Sequence, residues 1–251
     1  MIWHLIESGY NTGRYNMDYD ICLTKNTLPD HAFFRLYQWK PYCISLGKNQ
    51  SVNDINIEKA KKDDIDIVIR PTGGRAILHA EEITYSIVIP YSKNLSAQKI
   101  YNKVSLALIK GLVNYHPLLK ETELEKVQPD FPSLLKQPSG VMCFASTAKN
   151  EVKYMGKKLI GSAQRKMERI ILQHGSILCG KYHQNITSYL NYNDENINDL
   201  RYELRNKTIE IETIINEKVD YDRLSQCLIE GFKDEWQIEF SKNPITMSLV
   251  K

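Results

Sequence analysis

Arg70-Pro71-Thr72-Gly73-Gly74-Arg75-Ala76-Ile77-Leu78-His79 is the stretch on which the reading of this sequence turns. It follows Ile65–Ile69 (Ile, Asp, Ile, Val, Ile), which has the pattern of a buried strand. It leads into Ala76–Leu78 and then Ile83–Ile89, two further apolar runs expected to be strands. Residues 70–75 therefore form a tight loop among strands. Paired glycines let a backbone take positive φ and come close to a ligand. Exposed N–H groups in such a turn make a concave anion site, and two arginines add charge. A hairpin turn with solvated arginines fits the same residues. The Gly-Lys-Ser/Thr of a P-loop is missing, and the G-x-G-x-x-G spacing of a dinucleotide site fails.

Working outward, Ile100, Val104, Leu108 and Leu112 recur every four residues and Ser96 stands where a cap belongs, so the spacing predicts a helix over Ala97–Tyr115. Upstream, strands are expected at Ile2–Ile6, Phe33–Trp39 and Tyr42–Leu46, with a turn at Lys40-Pro41, and helices at Asn16–Lys25 and Asn56–Lys62. Downstream, Glu151–Tyr154, Lys158–Gln164 and Ile170–Leu178 read as successive strands joined by short turns. Leu224, Cys227, Leu228 and Phe232 share one helix face. His116–Met142 holds four of the nine prolines, which marks it as an irregular excursion of the kind that often serves as a lid. The pattern is that of a single α+β domain over residues 1–251, a mixed sheet flanked by helices with a small helical end from about residue 199.

The totals exclude several classes. With 33 basic against 30 acidic residues the net charge is only +3, too small an excess to indicate nucleic acid. Five cysteines, an odd number without a C-x-x-C, suit a reducing compartment with free thiols. Met1–Tyr10 lacks a basic stretch followed by a long apolar run, and nothing approaches the ~18 apolar residues of a membrane span, so a cytoplasmic protein without membrane contact is expected. Cys179 and His183 could supply two metal ligands, but no second pair has matching spacing, so no metal is expected.

Two residues carry candidate chemistry. Cys22, Cys43, Cys179 and Cys227 lie in apolar or strand settings and read as small core residues. Cys143 instead follows Gln137-Pro138-Ser139-Gly140 at the exit of the excursion, where a thiol near a cation would be accessible and activated. Lys158, just before an expected Gly161-Ser162 kink, could hold an acyl carbonyl or an oxyanion. A chance loop cysteine and an exposed strand lysine fit the residues too. His79, Glu81 and Glu82 are assigned no catalytic role.

Arg70–His79 followed by Glu82-Ile83-Thr84-Tyr85-Ser86 resembles the signature of the lipoate–protein ligase A and octanoyltransferase family. Lys158–Gln164 and Gln173–Ile177 are similar to its second and third blocks, and Asn16-Met17 and Ser45-Leu46-Gly47-x-x-Gln50 add matches near the front. The likeness runs from about Ile2 to Leu178 and thins over the tail. It implies the mixed-sheet catalytic fold shared with biotin ligases and class II aminoacyl-tRNA synthetases. It also implies an acyl pocket lined by Arg70, Gly73, Gly74, Arg75 and His79, with Gly161, Ser162, Ala163, Gln164 and His174 along it and Lys158 on the acyl carbonyl.

The family holds two chemistries. Ligases activate free lipoate with ATP and magnesium, whereas transferases take octanoyl from acyl carrier protein onto a cysteine and need no cofactor. Cys143-Phe144-Ala145 is similar to the cysteine block of the transferases, although Ser146–Asn150 lacks the tryptophan many of them carry. The implied partners are octanoyl-acyl carrier protein and a lipoyl domain, either glycine cleavage H protein or a 2-oxoacid dehydrogenase E2. Lys149, Lys153, Lys157 and Lys166 are candidates to steer such acidic partners, and equally fit solvated turns. An ATP-dependent ligase and a non-catalytic acyl or lipoyl-domain binder are the alternatives.

Overall fold

A computed structural model describes residues 1–126, 150–191 and 194–242. Strand β1 (Ile2–Asn11) and β2 (His31–Trp39) pair in parallel, linked by helix α1 (Gly13–Asn26), whose first turn is capped by the Thr12 hydroxyl. Strands β3 (Cys43–Leu46), β4 (Asp66–Ile69) and β5 (Ile77–His79) form a small sheet in the order β4-β3-β5, with helix α2 (Ile57–Lys62) between β3 and β4 in sequence. Then come β6 (Glu82–Pro90), helix α3 (Ala97–Tyr115), the short strands β7 (Thr122–Leu124) and β8 (Val152–Tyr154), β9 (Lys157–Met167) and β10 (Ile170–Leu178). Helices α4 (Asp194–Lys207), α5 (Ile211–Ile215) and α6 (Tyr221–Trp236) follow.

The large sheet has seven strands in the order β1-β2-β6-β10-β9-β8-β7 and is mixed, since β1–β2 is parallel and the other pairs are antiparallel. Strand alternation sends Tyr85, Ile87 and Ile89 of β6 into the main apolar core, while Thr84, Ser86 and Val88 point to the other face. The apolar face is covered by α3, on which Ile100, Val104, Leu108 and Leu112 are all buried as their spacing predicts, and by α6. The two helices touch through glycines. A Cβ built on Gly231 would lie 2.3 Å from the Gly111 nitrogen, so any side chain there would push the helices apart. Phe232 stacks on Phe34 with ring centroids 4.3 Å apart, joining α6 to the sheet.

Four expectations need correction. Ile65–Ile69 was expected to be a buried strand, but β4 is the edge of the small sheet and Ile69 is 57% exposed. Gly161-Ser162 makes no kink, because β9 runs unbroken and stays in register with β10 from Ile160 to Met167. Glycine serves close approach there: a Cβ on Gly175 would lie 2.4 Å from the Gly161 carbonyl oxygen. Of the four cysteines read as core, Cys43 and Cys179 are buried, while Cys22 and Cys227 are only half-buried, Cys227 still packing against the main core. The start of the proline-rich excursion is regular, with a 3₁₀ turn at Pro117–Glu121 leading into β7, and its remainder from residue 127 lies outside the described residues. No helix among the described residues is long and apolar enough to cross a membrane.

Candidate active site

A slot opens where α1, the small sheet and the polar face of β9 and β10 meet. Met17, Tyr37, Trp39 and Ile77 give it apolar surface, and Gly161–Ala163 with His174–Ser176 form its strand wall. The slot is thin, with a cavity volume of about 20 Å³.

The Gly-rich loop is held beside the slot by its own first residue. Arg70 is buried, and its guanidinium donates to the Ser45 carbonyl (2.8 Å), the Arg75 carbonyl (2.7 Å) and the Gly73 carbonyl (3.2 Å). It is thus an internal clamp, which corrects the reading of both arginines as solvated. Arg165 of β9 adds a bond from its guanidinium to the Pro71 carbonyl at 2.8 Å. Gly74 has φ of +95°, and a Cβ on Gly47 would lie 2.0 Å from the Gly74 carbonyl, so the loop needs glycine at both places.

Two histidines face the slot, each with both ring nitrogens engaged. His79 Nδ1 lies 2.8 Å from Glu82 Oε1, His79 Nε2 lies 2.7 Å from Ser45 Oγ, and the ring stacks on Trp39. A carboxylate can only accept, so these partners assign the proton to Nδ1. Glu82 Oε1 also accepts from the Thr84 hydroxyl, while its buried Oε2 has no hydrogen-bond partner among the described residues. His174 Nε2 lies 2.7 Å from Thr72 Oγ1 and its Nδ1 lies 3.4 Å from Asp20 Oδ2, which ties the Gly-rich loop to β10 and α1. Burial lowers the pKa of His174 against the opposing pull of Asp20, so the imidazole is held neutral. Burial alone would raise Asp20, but the His174 hydrogen bond and the Arg35 guanidinium at 2.8 Å prevail, and its pKa is lowered.

Next along β9, Lys158 is buried and its ammonium lies 3.0 Å from Glu151 Oε2. The other oxygen of that carboxylate accepts from the Ser162 backbone N–H at 3.2 Å. Ser162 Oγ lies 2.7 Å from the Tyr85 hydroxyl, which accepts from Gln173 Nε2, and Gln164 donates to Gln173 Oε1. Burial, with the Glu151 charge adding to it, pushes the Tyr85 hydroxyl up to about 12.

Of the residues expected at the site, Arg70, His79, Gly161, Ser162, Ala163 and His174 line the slot. Gly73 and Gly74 are exposed and Arg75 is half-exposed on the loop, while Gln164 lies one residue past the wall, in the Tyr85 network. Lys158 meets the slot through Glu151 and Ser162. Cys143 lies outside the described residues. The sequence left Asp20, Arg35 and Glu151 unmarked, and Glu82, which it marked but gave no catalytic role, is buried against His79. Arg35 had a visible signal: a charge inside Phe33-Phe34-Arg35-Leu36-Tyr37 demands a buried counter-charge. No cluster of three or more His, Cys, Asp or Glu among the described residues could hold a metal ion.

Residues 12–233 match the lipoyl protein ligase A/B catalytic domain. The chain belongs to this family. The octanoyltransferase LipM of Lysinibacillus sphaericus is 30% identical to this lipoyl protein ligase A/B domain over 257 residues, covering 98% of the chain and 90% of the relative. LipM of Bacillus subtilis is 30% identical over 244 residues, covering 92% and 85%. With such relatives, this family member is an acyltransferase. A putative lipoate protein ligase from T. acidophilum, solved with bound lipoic acid, superposes with a TM-score of 0.75 at 18% identity over 98% of the chain and 90% of its own. A bi-partite lipoate protein ligase from Thermoplasma acidophilum, studied with its E2 lipoyl domain, gives 0.77 at 18%, covering 98% and 88%. At that identity the two structures establish the shared fold: the expected α+β mixed sheet flanked by helices is that of the lipoate ligases.

Proposed function

We propose that the chain transfers an octanoyl group from octanoyl-acyl carrier protein to a lysine of a lipoyl domain, through a thioester on Cys143. What carries this reading is a thin slot with apolar walls built from all three sequence blocks, in a chain 30% identical to octanoyltransferases over nearly its whole length. Met17, Tyr37, Trp39 and Ile77 suit an alkyl chain, each buried methylene contributing about 0.8 kcal/mol. The slot as it stands has room for on the order of one water, so its walls part as the chain enters.

In the first half-reaction the Cys143 thiolate attacks the thioester carbonyl, a new C–S bond forms, and the carrier's thiolate leaves and takes a proton. Lys158 steadies the oxyanion. In the second, the neutral amine of the acceptor lysine attacks, the amide C–N bond forms as the C–S bond to Cys143 breaks, and the departing Cys143 sulfur takes the proton the amine gives up. A thioester is already activated, so no ATP, metal or other cofactor enters. Arg70, His79, Gly161, Ser162, Ala163 and His174 shape the acyl site, with Gly73, Gly74 and Arg75 on the loop beside it. The acceptor is a lipoyl domain of glycine cleavage H protein or of a 2-oxoacid dehydrogenase E2, met in the cytoplasm. Lys157 and Lys166 remain candidates to steer these acidic partners, and Lys149 lies outside the described residues. Lys153 is the weaker candidate, because its ammonium is paired with Glu125 at 2.8 Å.

Intact mass spectrometry tests the reading. After incubation with octanoyl-acyl carrier protein without ATP, the protein is expected to gain one octanoyl mass. The adduct should be absent in Cys143→Ala and discharged by a lipoyl domain. An unmodified protein, or an octanoylated lipoyl domain formed only from free octanoate with ATP and magnesium, overturns it in favour of a ligase.

A further inference from the structure

The ion pair between Lys158 and Glu151 asks for an explanation that folding does not provide. Both side chains are almost fully buried, and a buried pair of this kind is commonly no more stabilising than apolar residues of the same volume. Its backbone setting is hydrogen-bonded on both strands. The Glu125 N–H donates to the Glu151 carbonyl and the Asn150 N–H to the Glu125 carbonyl, each at 2.8 Å. The Lys158 carbonyl accepts from Ile209 at 3.0 Å.

The Glu151 carboxylate therefore spans two points on one strand: the Lys158 ammonium with one oxygen and the Ser162 amide with the other. Lys158 and Ser162 are four residues apart, roughly 13 Å along the strand. A bond at each end of the carboxylate draws the ammonium along β9, away from its own backbone and toward Ser162, which lines the slot. We infer that Glu151 is the positioning residue for Lys158, fixing its ammonium beside the slot wall where the acyl carbonyl would lie. This rests on the role given to Lys158 above. In this reading Glu151 serves the reaction through the lysine and not at the reacting atoms.

A double-mutant cycle on single-turnover octanoyl loading, followed by intact mass with octanoyl-acyl carrier protein, tests the inference. Lys158→Ala is expected to slow loading about a hundredfold, the scale of losing one oxyanion donor. Glu151→Gln should slow the rate at saturating donor about tenfold while the donor concentration giving half that rate stays put, as for a contact felt only in the transition state. Glu151→Asp, which keeps the charge, should recover part of the rate. Glu151→Gln added to Lys158→Ala should cost nothing further. If it slows loading by the same factor in both backgrounds, Glu151 acts independently of the lysine and the inference falls. If Glu151→Gln does not fold, the cycle is run with Glu151→Asp, and the same two outcomes decide between coupled and independent action. Loading by Lys158→Ala at the parent rate would instead remove the role proposed for the lysine, a separate result.

Discussion

The two faces of the seven-stranded sheet are both buried, but by opposite means. Toward α3 and α6 the strands present Tyr85, Ile87, Ile89, Ile171 and Ile177 to aliphatic and aromatic side chains, with Phe34 against Phe232. Toward α1 and the slot, Arg35, Thr84, Ser86, His174 and Ser176 meet Asp20, Trp39 and His79 through directed bonds. Non-directional burial tolerates repacking and falls off with the area lost. A buried charge network does not, because each deletion strands the partner left behind. Apolar packing thus dominates one face, while the directed network and the slot lie on the other beside a smaller apolar cluster of Leu23, Phe33, Val88 and Leu172.

The sharpest way to break that division is to damage each face in turn. Phe232→Ala empties a fully buried aromatic site and is expected to cost about 3–5 kcal/mol in urea unfolding, with octanoyl loading per folded molecule unchanged. A large drop in loading would show that the apolar face also shapes the slot. Asp20→Asn leaves the Arg35 guanidinium buried beside a neutral amide and is expected to cost about 3 kcal/mol. Replacing both partners, Asp20→Leu with Arg35→Met, should return most of that stability but not the loading rate, since His174 loses its carboxylate. Equal stability of the single and double variants would contradict the view that the charge pair serves the site rather than the fold. A smaller effect is expected for Tyr85→Phe, which removes the acceptor of Gln173 and the partner of Ser162 at once, about 1–2 kcal/mol.

The same division explains what the sequence made legible. Ala97–Tyr115 and Ile170–Leu178 coincide with observed elements because their apolar periodicity is local. The extension of β1 from Ile6 to Asn11 comes from pairing with β2, a partner some thirty residues on that no local pattern names. Half of the candidate site was visible as sequence blocks, and its organising carboxylates were not. Asp20 lies on the buried face of α1 with Met17 and Leu23, where a single acid in an amphipathic helix draws no attention until Arg35 is known to face it. Glu151 is hidden by a register shift. The β8–β9 hairpin turns tightly on Met155-Gly156, both at positive φ, but a bulge pairs Val152 with Ile160 and Lys153 with Lys158. Counting back from the turn therefore misplaces Val152 and every residue before it by one, and the carboxylate that reaches the lysine cannot be found by spacing.

The mildest test uses acid. Burial lowers the folded-state pKa of His174 below its ordinary 6.5, so between the folded value and 6.5 the unfolded chain binds a proton that the native imidazole does not. More protons bound in the unfolded state means stability that rises with pH across that window, complete above 6.5 and declining as pH falls below it. Asp20, whose pKa is also lowered, acts in the same sense at more acid pH: its contribution is present above the unfolded carboxyl value and is lost as pH drops toward the folded one. His4 and His183 are lowered too and give the parent protein further slope below 6.5, so the comparison must be made by difference. His174→Gln removes one titrating site and keeps a side chain able to donate to Asp20 and accept from Thr72. Urea unfolding between pH 7.5 and 5 should show the variant losing less stability than the parent over that interval. Parallel curves would mean that His174 is already as easily protonated in the fold as out of it, and the polar face would then carry a cation where a neutral imidazole has been placed.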